Sequence, residues 1–456
     1  MKSESKQKIK KPGIIQQAWK EGDGLTKLSF FVMGAGNLAR KQIVKGLLFL
    51  GAELGFIFYM LMTGITALSH FDDLGEQAQR IEKDADGFPI QIPGDNSMLM
   101  LLFAVVAMFI VVAFILVWRA SVKAAFEAQC IQEKGKTLPS FIDDLKAHLD
   151  AKLHKTLLAF PTLCVLIFNI LPIVFMVFIA FTNFDQKHQP PANLFEWVGL
   201  KNFFIILGSG EAIGRTFWPV LVWTVIWAIF ATFLNYIFGM LLAIVINRKG
   251  TRCKGLWRTI FVISIAVPQF VSLLIMSLML NADGPINQTL MQMGLINEAL
   301  PFLTNALWAK VTIIIVNLWV GMPYTMLVTT GILQNIPADL YESAKVDGAT
   351  PVVTFFKITL PYMLFVTTPK LITDFVGNLN NFNVIYFLTQ GNPATVDYYG
   401  AGQTDLLVTW LYKLTVNNKD YSYAAVIGIL VFVISATVSL IVYRNTGSYK
   451  NEEGFQ

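Results

Sequence analysis

The stretch DLYESAKVDGATPVVTFFKITLP, Asp339–Pro361, lies between two long apolar runs. Pro337, just ahead of it, suits a helix start, because its missing N–H is one that a first helical turn leaves unbonded anyway. Leu340, Tyr341 and Ala344 give that helix an apolar face, with Glu342 and Lys345 beside it. Gly348 breaks the helix, and Pro351 can open a second one that leads through FFKITLP into the next apolar run. A linker between such runs needs only polarity. Composition alone reads as a plain surface helix, but a helix–turn–helix lying along a membrane surface also suits insertion into a partner's groove.

The flanking runs set the solvent. The chain has 456 residues, 55% hydrophobic and 14% charged. Soluble domains carry about 25% charged residues, and a helix needs about 20 apolar residues to cross the hydrocarbon core. Eight runs meet that length, at roughly 46–68, 98–118, 157–181, 219–247, 259–281, 306–333, 358–382 and 424–444. They are continuous rather than alternating, which selects helices over a barrel. The expected fold is therefore an all-α integral membrane protein with eight transmembrane helices.

Lys and Arg counts orient it. The 1–45, 119–156, 248–258 and 334–357 segments and the tail hold 26, whereas the intervening loops hold 7. Basic residues mark the inner side, so both termini and the 334–357 loop are expected in the cytoplasm of a multi-pass plasma-membrane protein. The net charge of +5 belongs to that bias and is no nucleic-acid footprint. Residues 1–45, with Lys8, Lys10 and Lys11, read as a solvated basic tail on the inner leaflet. About 45 mostly polar residues precede the first run, so no cleavable signal is expected. The 119–156 segment reads as a cytoplasmic linker with a partly amphipathic helix, and 383–423 as an outer loop with a short helix. Cys130, Cys164 and Cys253 offer no disulfide framework, and no metal-type Cys/His cluster occurs.

Polar residues inside membrane spans are costly and mark a pathway, a pairing or a helix contact. In the seventh run Lys370, Asp374, Asn378 and Asn381 recur at i, i+4, i+8 and i+11, with Gly377 on the same stripe. In the sixth, Asn317, Gly321 and Tyr324 repeat the pattern, and in the fifth Gln269 follows Pro268, which kinks a helix. Amides, a carboxylate and a phenol at similar depth suit a hydroxyl-rich ligand, and Trp319, Phe375 and Phe382 are candidates to stack on a sugar face. The plain reading stands beside this: Asn glues helices, Lys370 and Asp374 neutralise one another, and the glycines permit close approach. Lys310 is expected to snorkel, and Glu53 has no role beyond helix contact.

YESAKVDGA followed by FFKITLP resembles the EAA loop of ATP-binding-cassette (ABC) importer permeases: Glu342, Ala344, Gly348 and the Ile358–Leu360–Pro361 end match, with Ser343 in place of the first Ala. VNLWVGMPY, NNFNVIYFLTQGNP and GQTDLLV extend the resemblance, over about 157–444, to the MalF-type maltose/maltodextrin permease subunit. That family implies the type I ABC importer permease fold. Its division is a 1–45 basic segment, two accessory spans with a linker at 46–156, a six-span core at 157–444 with the coupling loop at 334–357, and a 445–456 tail. By position it implies a sugar site at Gln269, Asn317, Gly321, Tyr324, Asp374, Asn378 and Asn381, and ATPase coupling through Tyr341, Glu342, Ala344, Asp347, Gly348 and Pro361. The implied partners are a second, MalG-type permease, a homodimeric cytoplasmic ATPase and an extracellular solute-binding protein; the lipid bilayer surrounds it and no nucleic acid is involved.

The chain itself is then no enzyme and holds no cofactor, ATP and Mg belonging to the ATPase. GKT at Gly135–Thr137 resembles the end of a phosphate loop, but Cys130 stands where that motif needs glycine. Two competing readings remain. An ion-coupled secondary sugar transporter would use Lys370 and Asp374 as a proton relay, and a membrane enzyme acting on lipid-linked sugars would need a catalytic carboxylate cluster.

Overall fold

The computed structural model describes residues 13–84, 86–248 and 250–445. Among these, seven helices are long and apolar enough to cross a membrane: Ile43–Ser69, Ser97–Glu133, Leu153–Ile179, Ala212–Asn247, Ala306–Gln334, Pro351–Leu379 and Tyr421–Arg444. A bent pair, Lys254–Ala266 and Gln269–Met279, turned by 90°, makes eight when it is counted as one broken span. Counted along the chain with the bent pair as fifth, these spans coincide with the eight apolar runs. The architecture is all-α, apart from a small antiparallel hairpin of Arg80–Lys83 and Pro89–Ile92 between the first two spans.

The break in the fifth span is sharper than a kink. A proline ring pushes the preceding residue out of the helical region, and Val267 has ψ 129°. Pro268 is itself extended at ψ 127°, and the helix restarts at Gln269.

By internal contacts the chain forms two compact units, Met1–Trp197 and Val198–Gln456. In the first, residues 13–45 are not a solvated tail. Ile14–Glu21, Gly24–Leu28 and Ala35–Ala39 are helices packed on the second span where it runs on past its apolar stretch to Glu133. Ala18, Val122 and Phe126 form a buried core there. Polar pairs tie it: Arg40 Nη2 donates to both Asp23 carboxylate oxygens at 2.7 Å, and Thr26 Oγ1 donates to Gln129 Oε1 at 2.9 Å. Glu53 also gains a role, because its carboxylate accepts the Met33 N–H at 2.7 Å and ties the first span to this cap. Lys8, Lys10, Lys11 and the tail beyond residue 445 lie outside the described residues. The linker folds into Phe141–Leu149, started by a reciprocal Ser140–Asp143 capping box.

In the second unit the fourth and sixth spans form the centre, each 39% buried over its most apolar window. They approach closely because Gly239 faces Thr325; a Cβ there would stand 2.7 Å from Thr325 Cβ. Trp223, Trp227, Ile313, Val384 and Ile385 form the main core. The Lys310 ammonium lies over the Trp223 ring at 4.9 Å. The 383–423 segment carries helices Phe382–Leu388 and Leu407–Lys413. It is locked by Asp405, whose carboxylate is buried and accepts from Lys413 Nζ at 2.6 Å, Gly402 N at 2.7 Å and Thr409 Oγ1 at 2.8 Å.

Candidate functional site

The seven residues expected to hold sugar surround one cavity of about 300 Å³. Gln269 enters from the break in the fifth span, Asn317, Gly321 and Tyr324 from the sixth, and Asp374 and Asn378 from the seventh. Asn381 reaches it from just beyond the seventh span, which ends at Leu379. Lys370, Thr373 and Gly377 complete the seventh-span wall.

The fourth span supplies a wall the sequence reading missed, made of Ala231, Thr232 and Asn235. Its only signal is that Thr232 and Asn235 are one turn apart in a 36-residue apolar helix. Gly321 is there to admit Asn235, since a Cβ on it would stand 2.4 Å from Asn235 Nδ2. A Cβ on Gly377, in contrast, would meet nothing within 4 Å.

Several of the polar groups are already tied. Asn378 Nδ2 donates to Thr232 Oγ1 at 3.0 Å, and its carbonyl accepts from Trp227 Nε1 at 3.1 Å. Asn381 caps the Phe382–Leu388 helix by accepting the Val384 N–H, and its Nδ2 donates to Asn378 Oδ1 at 3.3 Å. Gln269 Oε1 accepts from Asn383 Nδ2 at 3.3 Å. Lys370 and Asp374 pair, and the Lys370 ammonium also stands 5.1 Å from the centre of the Tyr324 ring. Two buried atoms stay unmatched, Asn235 Oδ1 and Asn317 Nδ2: one acceptor and one donor, each costly to leave unpaired in an apolar surround.

None of Trp319, Phe375 and Phe382 lines the cavity. Trp319 is 55% exposed, because it lies two residues after Asn317 and about 200° round the helix. Phe382 starts the next helix and stacks on Tyr386 at 4.7 Å. Tyr324 is the aromatic face actually offered.

Between the sixth and seventh spans the chain forms a single helix, Ala338–Val346, with Pro337 at its start. It ends in a Schellman arrangement: Ala349 N donates to Ala344 O at 2.9 Å and Gly348 N to Lys345 O at 3.2 Å, with Gly348 at φ +73°. Pro351 does open a helix, but that helix is continuous with the seventh span through a π-turn at Phe355–Thr359, so no separate second helix lies on the surface. A π-turn gives the i−4 slack that Pro361 needs.

Of the expected coupling residues, Tyr341 and Ala344 face inward. Tyr341 OH lies 3.1 Å from Thr359 Oγ1, pinning the loop to the seventh span, and Ala344 is buried. Glu342, Asp347 and Gly348 are exposed, as are Leu340 and Val346. Pro361 is not on the loop but in the seventh helix.

Residues 235–447 match the family described as "Binding-protein-dependent transport system inner membrane component". The chain is 36% identical over 429 residues to the galactooligosaccharides transport system permease protein GanP of Bacillus subtilis (strain 168), covering 92% of this chain and 97% of that one. It is 35% identical over 434 residues to the maltodextrin transport system permease protein MdxF of the same organism, covering 92% and 95%. With the maltose/maltodextrin transport system permease protein MalF of Escherichia coli (strain K12) it shares 36% identity over 270 residues, 58% of this chain and 51% of that one. In fold it resembles a chain of the bacterial alginate ABC transporter crystallised with an alginate pentasaccharide-bound periplasmic protein, with a TM-score of 0.53 at 22% identity, covering 66% of this chain and 96% of that chain.

Proposed function

The chain belongs to the binding-protein-dependent transport permeases, the MalF-type subunits of ABC sugar importers, and from that premise we propose how it works and on what. It is a multi-pass plasma-membrane transport subunit and not an enzyme. In the proposed arrangement it forms half of a translocation pathway, with both termini and the Ala338–Val346 loop in the cytoplasm. A second, MalG-type permease forms the other half, a homodimeric ATPase holds the loop and supplies ATP and Mg, and an extracellular solute-binding protein delivers the sugar. The ion-coupled reading is disfavoured because the chain's relatives are permeases of binding-protein-dependent transport, not because of the Lys370–Asp374 pair, which is formed.

The observation that carries the sugar site is one cavity walled by amides from four spans, Asn235, Gln269, Asn317 and Asn378, with the Tyr324 ring beside them. The substrate we assign is a maltodextrin. A second reading, a galactooligosaccharide, is favoured by the likeness to GanP, which matches this chain as closely as MdxF does. Both are neutral hexose oligomers that offer hydroxyls and a sugar face, which is what the amides and Tyr324 can receive.

Two experiments separate these claims. Purification in mild detergent is expected to bring an ATPase and a second permease with the chain; recovery of the chain alone would count against the four-part assembly. Uptake of labelled maltotriose against a labelled galactosyl trisaccharide by the assembled transporter then identifies the sugar, and a preference for the galactosyl compound would replace the first assignment.

A further inference from the structure

A second and larger cavity, about 980 Å³, lies between the Ala338–Val346 loop and the ends of the fourth to seventh spans. Four cations line it: Arg248, Lys254, Arg258 and Lys345. No acidic residue does, and no ion pair among the described residues involves any of the four. Asn247 gathers two of them. It accepts from Arg258 Nη2 at its side-chain oxygen and from Lys254 Nζ at its backbone carbonyl, at 3.0 Å. That leaves Arg258 Nε buried with no partner. Holding four like charges round one space without a counter-ion is unfavourable, and a buried unpaired guanidinium N–H adds to the cost. Ile244, Leu333 and Phe355 add apolar wall between the cations.

We propose that this pocket binds a phosphate group, and specifically the headgroup phosphate of an anionic phospholipid. A guanidinium fork and two ammonium groups match phosphate oxygens. The apolar walls suit the glycerol and first methylenes that follow a lipid phosphate, and not a free ion. Basic pockets between spans at the inner surface of a membrane are where such headgroups bind. The pocket lies on the span side of the loop, where Tyr341 is bonded to Thr359, and leaves the exposed Leu340, Glu342 and Val346 uncovered. A lipid there would brace the loop against the seventh span. The inference relies on the proposed orientation only for the leaflet it names.

The purified full chain, in its native complex, is incubated with phosphatidylglycerol, with phosphatidylcholine or with inorganic phosphate, and retained ligand is read by native mass spectrometry. One phosphatidylglycerol is expected to be retained in preference to phosphatidylcholine. The double change Arg248→Gln with Lys254→Gln should weaken it about thirtyfold, while Arg248→Lys with Lys254→Arg keeps it. Displacement by inorganic phosphate with no preference between the lipids would retain the phosphate chemistry and overturn the lipid source. Equal retention of phosphatidylglycerol by wild type and the Gln pair would overturn the site. So would loss of the ATPase subunit from the Gln pair with lipid retention unchanged, since the cations would then serve a protein partner. Because the readout is ligand mass, a failure here leaves the sugar-import reading untouched.

Discussion

Asn317 is 4% exposed, lines the cavity, and has its Nδ2 buried without a partner. Replacing it by Leu removes a donor that the empty protein does not use, so folding should hardly suffer while sugar binding does. The expected loss is about 1–3 kcal/mol, a rise in the transport KM of about tenfold or more with normal membrane levels; an unchanged KM removes Asn317 from the site. Asn378 differs, because its side chain donates to Thr232 Oγ1 and accepts from Asn381 Nδ2. Asn378→Leu should therefore lower both uptake and thermal stability. The two glycines also part company. Gly321→Ala drives a methyl into Asn235 and should destabilise the helix contact by about 1–3 kcal/mol. Gly377→Leu enters open space and should fill the cavity, abolishing uptake while leaving Tm within a degree or two of wild type. Asp405 carries a pH signature. Burial lifts its carboxyl above the ordinary value despite the Lys413 ammonium. With the folded pKa raised, its contribution to stability is complete below the unfolded value and is lost as pH rises through the folded one. The Tm difference between wild type and Asp405→Asn should thus favour wild type more at mildly acidic pH than at neutral pH; a difference constant across that range contradicts this.

At the scale of elements, the loop helix works as a lever only if it is stiff and anchored. Its C-terminal cap needs Gly348 in the left-handed region, and its anchor is the Tyr341–Thr359 contact. Tyr341→Phe removes the hydroxyl alone, at a cost of about 1 kcal/mol, and should lower sugar uptake per ATP hydrolysed in reconstituted vesicles; unchanged stoichiometry would show that the contact bears no force. The spans were legible because a 20-residue apolar run has few other uses, six of the seven cavity residues because helical spacing repeated in two spans, and Gln269 because it follows Pro268. What escaped has identifiable causes. Thr232 and Asn235 form no long stripe, so nothing in the fourth span marked a wall. The aromatic choices ignored helical angle for Trp319 and the helix end at Leu379 for Phe382. The folded cap at residues 13–45 was hidden because its apolar partner, around Val122 and Phe126, belongs to a second span that continues beyond its apolar stretch. The break at Pro268 was expected only as a kink, since a single proline does not tell how far the next helix turns away.

For the molecule as a whole, the account joins a hydroxyl-matching cavity to an anchored loop through the sixth and seventh spans, which contribute to both. On the proposed coupling, ATP-driven motion at the loop would displace the seventh span as a rigid body and open the cavity with it. The measurement that tests this most directly uses Gly348→Pro in the reconstituted complex. Proline cannot adopt φ +73°, so the cap is lost while the cavity is untouched. Sugar uptake and ATP hydrolysis are followed in the same vesicles. The account predicts that hydrolysis persists while uptake falls close to background; uptake at the wild-type rate per ATP would contradict it.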